Sequence, residues 1–286
     1  FKETAKNIEV RIGAILSLER IAQDSTRYDN GRDHVRVMEI LCAYVRENTL
    51  IPLLDSEFDE KLRITPRTDI QIAIDVIKRR SQEQIEIEVV NRYRLDLRRC
   101  DFRGVNFGLG SFRGAIFAQC RFEFASFRSS DFSGARFHGS ILNYLDCMNA
   151  KFIGADMRSC RIDKPEPKAG GFLTSINMGD LSGVSLISAN ISAIQYLGNQ
   201  QNTFGTKDTK LYWELDEERK AGTGIAEKVR RGKGESDAKK TSNPELKLSE
   251  NPFIHWSPHD GTDMVTGDRL ATFRKSLSLT GWPYED

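Results

Sequence analysis

Residues 114–139, GAIFAQCRFEFASFRSSDFSGARFHG, carry a phenylalanine at every fifth position from Phe117 to Phe137. The register extends in both directions and is occupied at fourteen successive centres by Leu97, Phe102, Phe107, Phe112, Phe117, Phe122, Phe127, Phe132, Phe137, Leu142, Cys147, Phe152, Met157 and Ile162. Only Cys147 fills its position with a small group. Internal repetition of this length outweighs local propensity, so we read the segment as one repetitive unit.

A period of five is neither the period of a helix nor that of a plain strand. It fits a coil that turns a corner every five residues, with the centre and the small residue two positions before it pointing inward. Two ladders with a period of twenty support four sides per coil: Gly114, Gly134 and Gly154, and the inner ladder Cys100, Cys120, Ser140 and Cys160. We expect one of the four corners to require glycine.

The A-x-F-x-x pattern, continued by NAKFIGADMRSC at 149–160, resembles the pentapeptide-repeat proteins. The resemblance implies a mainly β fold, a right-handed quadrilateral β-helix with stacked interior side chains. The repeat breaks at the Pro- and Gly-rich segment 163–172, which we expect to be a loop. It resumes one residue out of phase, with centres at Ile176, Leu181, Leu186, Ile191 and Tyr196 and inner partners at Val184, Ala189 and Ile194. We place the β-helix at 85–200.

Residues 1–84 predict an N-terminal α-helical module. The apolar pattern from Val10 to Ala22 predicts a helix that ends near Asp24–Ser25, and Asp33 is placed to begin a second helix. Pro66 fits the first position of a third helix. Ile85 and Ile87 then alternate with polar residues toward Leu95, so we start the β-helix at residue 85.

The segments EVRIGAILSLERIAQDS (9–25) and DHVRVMEILCAYVREN (33–48) also resemble a bacterial subfamily of pentapeptide-repeat proteins. Many of its members carry transmembrane helices upstream of this segment. The resemblance implies a membrane-anchored parent, although no apolar run in this chain approaches the ~18 residues of a membrane span. The odd number of cysteines, five, argues against a secreted disulfide scaffold. We expect a cytoplasmic location, at the cytoplasmic face of the membrane in an anchored parent.

Residues 201–286 form a separate C-terminal segment. Its part 214–250 holds nine basic and nine acidic side chains, which predicts a mobile, solvated insertion. The aromatic residues after it are Phe253, Trp256, Phe273, Trp282 and Tyr284. We expect these to cap the last coil or to fold back along the rod; the alternative is a free partner-binding element.

We expect no enzyme, cofactor or metal. His255 and His259 lie four residues apart, but Pro258 breaks the helix that would align them for zinc. The inner cysteines are expected to be small buried thiols. A hidden enzyme in the C-terminal segment is the least favoured alternative.

The repeat surface carries a positive balance, since residues 91–163 hold 12 Lys and Arg against 7 Asp and Glu. This sign excludes the acidic DNA imitation by which some pentapeptide-repeat proteins bind gyrase. The twenty-residue offset places Asp101 beside Arg121 and Arg136 beside Asp156, which predicts ion pairs across coils. The candidate partner surface comprises Arg98, Arg99, Arg136, Arg158, Trp256 and Trp282.

These features favour a non-catalytic scaffold that binds a protein partner, within a membrane-bound complex in the anchored parent. The alternative is a regulator of a topoisomerase, or a nucleic-acid-binding protein, that acts through the solenoid surface. We do not expect nucleic acid as the partner.

Overall fold

The computed structural model describes residues 7–49, 65–162, 180–191, 202–205, 209–211 and 266–285. Within these ranges the elements are α1 (Ile8–Tyr28), α2 (His34–Asn48), α3 (Thr68–Lys78), α4 (Gln82–Val90), β1 (Val184–Ser185), β2 (Thr203–Phe204) and α5 (Thr266–Ser276). The repeats that follow α4 pair mainly through single parallel β-bridges rather than through long strands.

The first three helices pack against one another over an aliphatic core. Ile15 of α1, Leu41 of α2 and Ile74 of α3 are each at most 2 % exposed. Helix α1 continues past the predicted end to Tyr28. Asp33 precedes α2 as predicted, but its side chain makes no capping bond; instead its backbone N–H donates to Ser25 Oγ at 2.9 Å.

Residues 82–90 form a helix, so the prediction that the alternating Ile85 and Ile87 lead into the β-helix as extended chain is wrong. The reason is local: Ser81 Oγ accepts from the Gln84 backbone, and the Gln84 side chain accepts from the Ser81 backbone. This reciprocal capping satisfies N–H groups that a helix start leaves open and outweighs a short alternation.

The helical module covers the beginning of the rod through polar contacts that cross the junction. The Asp101 backbone N–H donates to Thr49 O at 2.7 Å, and Gln71 Nε2 donates to Asn106 O at 3.0 Å. The buried Arg80 pairs with Glu88 and also donates to Ser111 O in the first coil. These bonds satisfy backbone groups at a coil end that would otherwise invite edge-to-edge association.

Each coil contains twenty residues and four sides. Asp96 pairs with Ile116, Asp101 with Arg121, Asn106 with Ser126 and Ser111 with Asp131, and the same offset continues along the rod. Three residues after each bridge residue the chain turns with a positive φ, as at Arg99 (59°) and Leu109 (65°). All four corners adopt this conformation, so positive φ alone does not explain why one corner carries the glycine ladder.

The period-five centres form the interior of the rod. Phe112 stacks on Phe132 with ring centroids 5.3 Å apart, and Phe132 stacks on Phe152 at 5.6 Å. Small polar groups beside them are satisfied by the preceding coil: Ser140 Oγ donates to Phe117 O at 2.7 Å, and Cys160 Sγ to Phe137 O at 2.9 Å. A buried donor that has such a partner avoids the free-energy cost of burying an unsatisfied polar group.

The coil resumes in register after the break. Lys151 pairs with Asp180, Asp156 with Ser185 and Arg161 with Asn190, each across 29 residues, which is one coil plus nine inserted residues. Leu181, Leu186 and Ile191 are buried as predicted. Ile176, Ile194 and Tyr196 lie outside the described residues. Parallel pairing extends to Phe204 and Lys210, beyond residue 200.

The C-terminal residues 273–285, here called the strap, lie along one corner of the rod. The Phe273 ring lies 5.7 Å from that of Phe204 in the last described coil. At the other end, Arg94 Nη2 donates to Glu285 O at 2.6 Å. This part of the C-terminal segment therefore folds back along the rod, one of the two arrangements expected.

Candidate partner surface

The four sides of the rod are distinguished by their bridge residues. Face 1 carries Asp96, Ile116, Arg136, Asp156 and Ser185, and face 2 carries Asp101, Arg121, Ile141, Arg161 and Asn190. Face 3 carries Asn106, Ser126 and Asp146. Face 4 carries Ser111, Asp131, Lys151 and Asp180, and the strap lies at the corner between faces 4 and 1.

The four arginines of the predicted partner surface all lie on face 1. Arg136 is itself a bridge residue, Arg98 and Arg99 follow Asp96, and Arg158 follows Asp156. Two of them pair within their own pentad: Arg98 Nε lies 2.7 Å from Asp96 Oδ1, and Arg158 Nη2 lies 2.6 Å from Asp156 Oδ2. Arg99 donates to Gln119 Oε1 at 3.1 Å.

The pairs expected across coils differ from those found. Asp101 and Arg121 are bridge partners as predicted, and so are Arg136 and Asp156. The described ion pairs of the two aspartates, however, join residues two apart: Asp101 pairs with Arg103 at 2.5 Å, and Asp156 pairs with Arg158. Side chains two residues apart flank the inward-pointing centre on the same face, so a long arginine reaches its neighbour in the pentad easily.

Face 1 also carries two arginines that the sequence pattern did not single out. Arg274 comes from the strap; its Nη2 donates to Ala155 O at 3.2 Å and its Nε to Gly183 O at 3.3 Å. Arg94 precedes the first coil and donates through Nη1 to Gly114 O at 3.0 Å and to Pro283 O at 3.1 Å. We call Arg94, Arg136, Arg158 and Arg274 the arginine cluster.

The guanidiniums of the arginine cluster lie close enough to act on one another electrostatically. Burial, together with a smaller effect from the charge of Arg136, lowers the pKa of Arg94 to about 10. Burial also lowers the pKa of Arg274; Asp156 opposes this shift, while Arg158 and Arg136 add to it. All four guanidiniums nevertheless stay charged at neutral pH, so like charges are held together here.

Asp156 is the carboxylate that pairs with Arg158 of the arginine cluster. Burial raises its pKa, but the hydrogen bond and charge of Arg158 outweigh burial, and Arg274 adds to them, so its pKa lies below the ordinary value. Asp156 Oδ1 accepts from the Arg158 backbone at 3.1 Å and from Arg158 Nε at 2.8 Å. Its hydrogen-bonding capacity is thus used largely by Arg158.

The strap fills a corner that is lined by glycine. Cβ atoms at Gly114 and Gly134 would lie 2.9 and 2.8 Å from Pro283, and one at Gly154 would lie 2.5 Å from Tyr284. Other corners with the same positive φ hold residues such as Arg99, Leu109 and Gln119. Contact with the strap, rather than backbone conformation alone, therefore explains the glycine ladder.

Of the two predicted partner tryptophans, the structure places one. Trp282 is half-buried in the strap, close to the Gly114 corner beside face 1, and it precedes a cis peptide bond to Pro283. Trp256 and Phe253 lie outside the described residues. The sequence signal that could have located the strap is the Gly114–Gly134–Gly154 ladder, which we interpreted above as a requirement of the backbone conformation.

The described residues contain no cluster of His, Cys, Asp and Glu with which to hold a metal ion. Burial raises the pKa of the Cys42 thiol to about 12, and burial likewise raises the pKa values of Cys147 and Cys160. Such thiols are poor nucleophiles. His255 and His259 lie outside the described residues.

No helix among the described residues is both long and apolar enough to cross a membrane. This finding leaves the expected upstream anchor untested.

The comparison with protein families identifies the repeats. The model described as pentapeptide repeats matches residues 96–134, 111–143 and 130–164, with eight copies of the repeat. These ranges contain the coils from Asp96 to the break in the repeat after Ile162. The sequence-based prediction of the family is confirmed.

Solved structures give low-scoring matches to the same family. QnrB1, a plasmid-mediated fluoroquinolone resistance protein, is 17 % identical over 41 % of this chain and 55 % of its own, with a TM-score of 0.22. Rfr23 from the cyanobacterium Cyanothece is 15 % identical over 44 % and 96 %, with a TM-score of 0.23. HetL from Nostoc, involved in heterocyst differentiation regulation, is 16 % identical over 42 % and 58 %, with a TM-score of 0.22.

The match therefore spans little more than half of the QnrB1 chain. No curated protein sequence matches this chain. The family match and the parallel pairing every twenty residues together assign the repeats to a right-handed β-helix that follows N-terminal helices. Residues 96–164 of this chain match the family model of pentapeptide repeats.

Proposed function

We propose that this chain is a non-catalytic interaction module that binds a protein partner across face 1. The observation that carries the proposal is the concentration of arginine there: Arg98, Arg99, Arg136 and Arg158 lie on one side of the rod, and the strap adds Arg274 beside them. The described residues of face 3, by contrast, carry a single arginine, Arg128, and it is paired with Asp146 at 2.9 Å. A rigid scaffold that presents one charged face is suited to recognition by charge complementarity.

The proposed setting is a membrane-bound complex at the cytoplasmic face. The odd number of cysteines, all of them buried as thiols, favours a reducing compartment. The membrane attachment rests on the resemblance of the helical module to anchored relatives.

Affinity capture from the native membrane fraction tests the partner surface. The bait is compared with a variant in which Arg98, Arg99, Arg136 and Arg158 are changed to Gln. The control changes Arg103, Arg113, Arg128 and Lys151 to Gln, which removes the same charge from the other faces. We expect one protein to be retained by the wild type and the control and lost by the face 1 variant; equal retention by all three would contradict the proposal.

A regulator of a topoisomerase, or a nucleic-acid-binding protein, is the second candidate. The excess of arginine on face 1 favours direct binding of nucleic acid over imitation of DNA, because phosphate backbones attract positive charge. It predicts duplex binding that weakens steeply with salt.

A further inference from the structure

We propose that the arginine cluster is a carboxylate-binding site that takes an acidic segment of the partner. This inference rests on the proposed function and names the chemistry of the partner. The site combines Arg136 and Arg158 from the rod with Arg94 and Arg274 at the two ends of the strap contact.

The charge around Asp156 is the first support. The charges of Arg158 and Arg274 act on the Asp156 carboxylate, which in turn acts on Arg136, and Arg94 lies beside Arg136. Asp156 also accepts three hydrogen bonds from Arg158. Each further negative charge placed here relieves repulsion between like charges that the fold holds close together. The electrostatic contribution to the binding free energy of an acidic ligand is therefore more favourable at the cluster than at a neutral surface.

The way the guanidiniums are held is the second support. Arg274 and Arg94 are fixed by backbone carbonyl oxygens, which orient them without neutralising their charge. A positioned guanidinium loses little conformational freedom on binding, and it can offer two parallel N–H donors to a carboxylate. The cluster is thus built as a receptor for carboxylates.

The compactness of the site favours a peptide over a nucleic acid. Between Arg99 and Arg136 face 1 presents Ile116, Ala118 and Gln119, none of which is charged. Duplex DNA carries one charge per about 1.7 Å of its axis and is bound by extended rows of cations. A single cluster matches a short run of carboxylates better.

The test uses a fluorescein-labelled peptide of alternating Asp and Glu, with the Asn and Gln peptide of equal length as the neutral control. Binding to the whole chain is followed by fluorescence anisotropy at low and physiological salt. We expect the acidic peptide alone to bind, and Arg136→Gln and Arg274→Gln each to weaken it at least tenfold. The matched control Arg128→Gln removes one charge from face 3 and should change the affinity less than twofold.

Arg136→Lys keeps a positive charge and a long side chain at this position but removes the planar guanidinium with its paired N–H donors. It should keep part of the affinity, and circular dichroism should show each variant folded. Absence of acidic-peptide binding at low salt, or equal losses in Arg128→Gln and Arg136→Gln, would overturn the site. Tighter binding of duplex DNA with the same dependence on Arg136 would overturn it in favour of nucleic acid. Capture of a partner through face 1 without peptide binding would keep the proposed function and reject the acidic segment alone.

Discussion

The pentad of Leu145 and Cys147 carries its large and its small interior side chain in the opposite order from every other pentad between residues 100 and 162. Elsewhere the centre is large and the residue two before it is small; here the leucine takes the inner partner position and the cysteine the centre. Both are buried, at 3 % and 1 % exposure. The exchange conserves interior volume within one pentad, which is the kind of substitution that cores tolerate best.

The exchange predicts strong coupling between the two positions. Cys147→Phe alone should overpack the coil and cost about 1–3 kcal/mol. The double variant Leu145→Ala/Cys147→Phe restores the common pattern and should recover most of that loss in urea unfolding. Additive effects of the two single changes would contradict the coupling.

The register of the interior is tested by two neighbouring phenylalanines. Phe122 is fully buried and its ring lies 5.5 Å from that of Phe102, so Phe122→Ala should cost about 3–5 kcal/mol. Phe124 is half-buried outside the register and stacks on Tyr144 at 4.7 Å. Phe124→Ala should cost only about 1 kcal/mol. Similar urea midpoints for the two variants would refute the assignment.

The interior could be predicted from sequence because each position has one dominant requirement. A centre such as Phe122 must be apolar and large, and the requirement recurs every five residues, so the pattern is visible without coordinates. Even the one-residue change of phase after the break is explained by a nine-residue insertion between bridge partners such as Lys151 and Asp180.

The strap and the arginine cluster could not be predicted in the same way. Arg94 and Arg274 lie 180 residues apart in sequence, and each is placed by backbone carbonyls on the rod rather than by a periodic signal. Helix α4 was missed because a capping interaction between two polar residues outweighed a short apolar alternation. Both features depend on contacts between specific residues, which composition and periodicity do not reveal.

The glycine corner predicts two unequal outcomes for the same substitution. Gly134 and Gly139 have φ values of 66° and 69°, so alanine at either should cost about 1–2 kcal/mol of backbone strain. At Gly139 the added Cβ would meet only Gln119 Cγ, at 3.6 Å, whereas at Gly134 it would meet the Pro283 backbone at 2.8 Å. Gly134→Ala should therefore also release the strap.

Release of the strap is measured by acrylamide quenching with Trp282 as the only tryptophan, the other two being replaced by Phe. We expect quenching to increase in Gly134→Ala and to match the parent in Gly139→Ala. Equal quenching in both variants would show that the glycine ladder does not hold the strap.

The nucleic-acid alternative has its own measurement. We predict no inhibition of gyrase supercoiling at micromolar protein, because the rod lacks the negative face of a DNA imitation. We also predict no duplex binding at about 50 mM salt, a condition that exaggerates phosphate contacts. Salt-sensitive binding that is abolished when Arg98, Arg99, Arg136 and Arg158 are replaced by Gln would instead support the alternative.

Site-specific photo-crosslinking in cells measures whether face 1 is the partner surface. Ser159 on face 1 and Ser129 on face 3 occupy the same position in their pentads, are both exposed, and have φ values of 56° and 55°. A photoreactive residue at 159 should give an adduct with one protein, and the same residue at 129 should not. Adducts from position 129 alone, equal adducts from both positions, or none from either would contradict the claim.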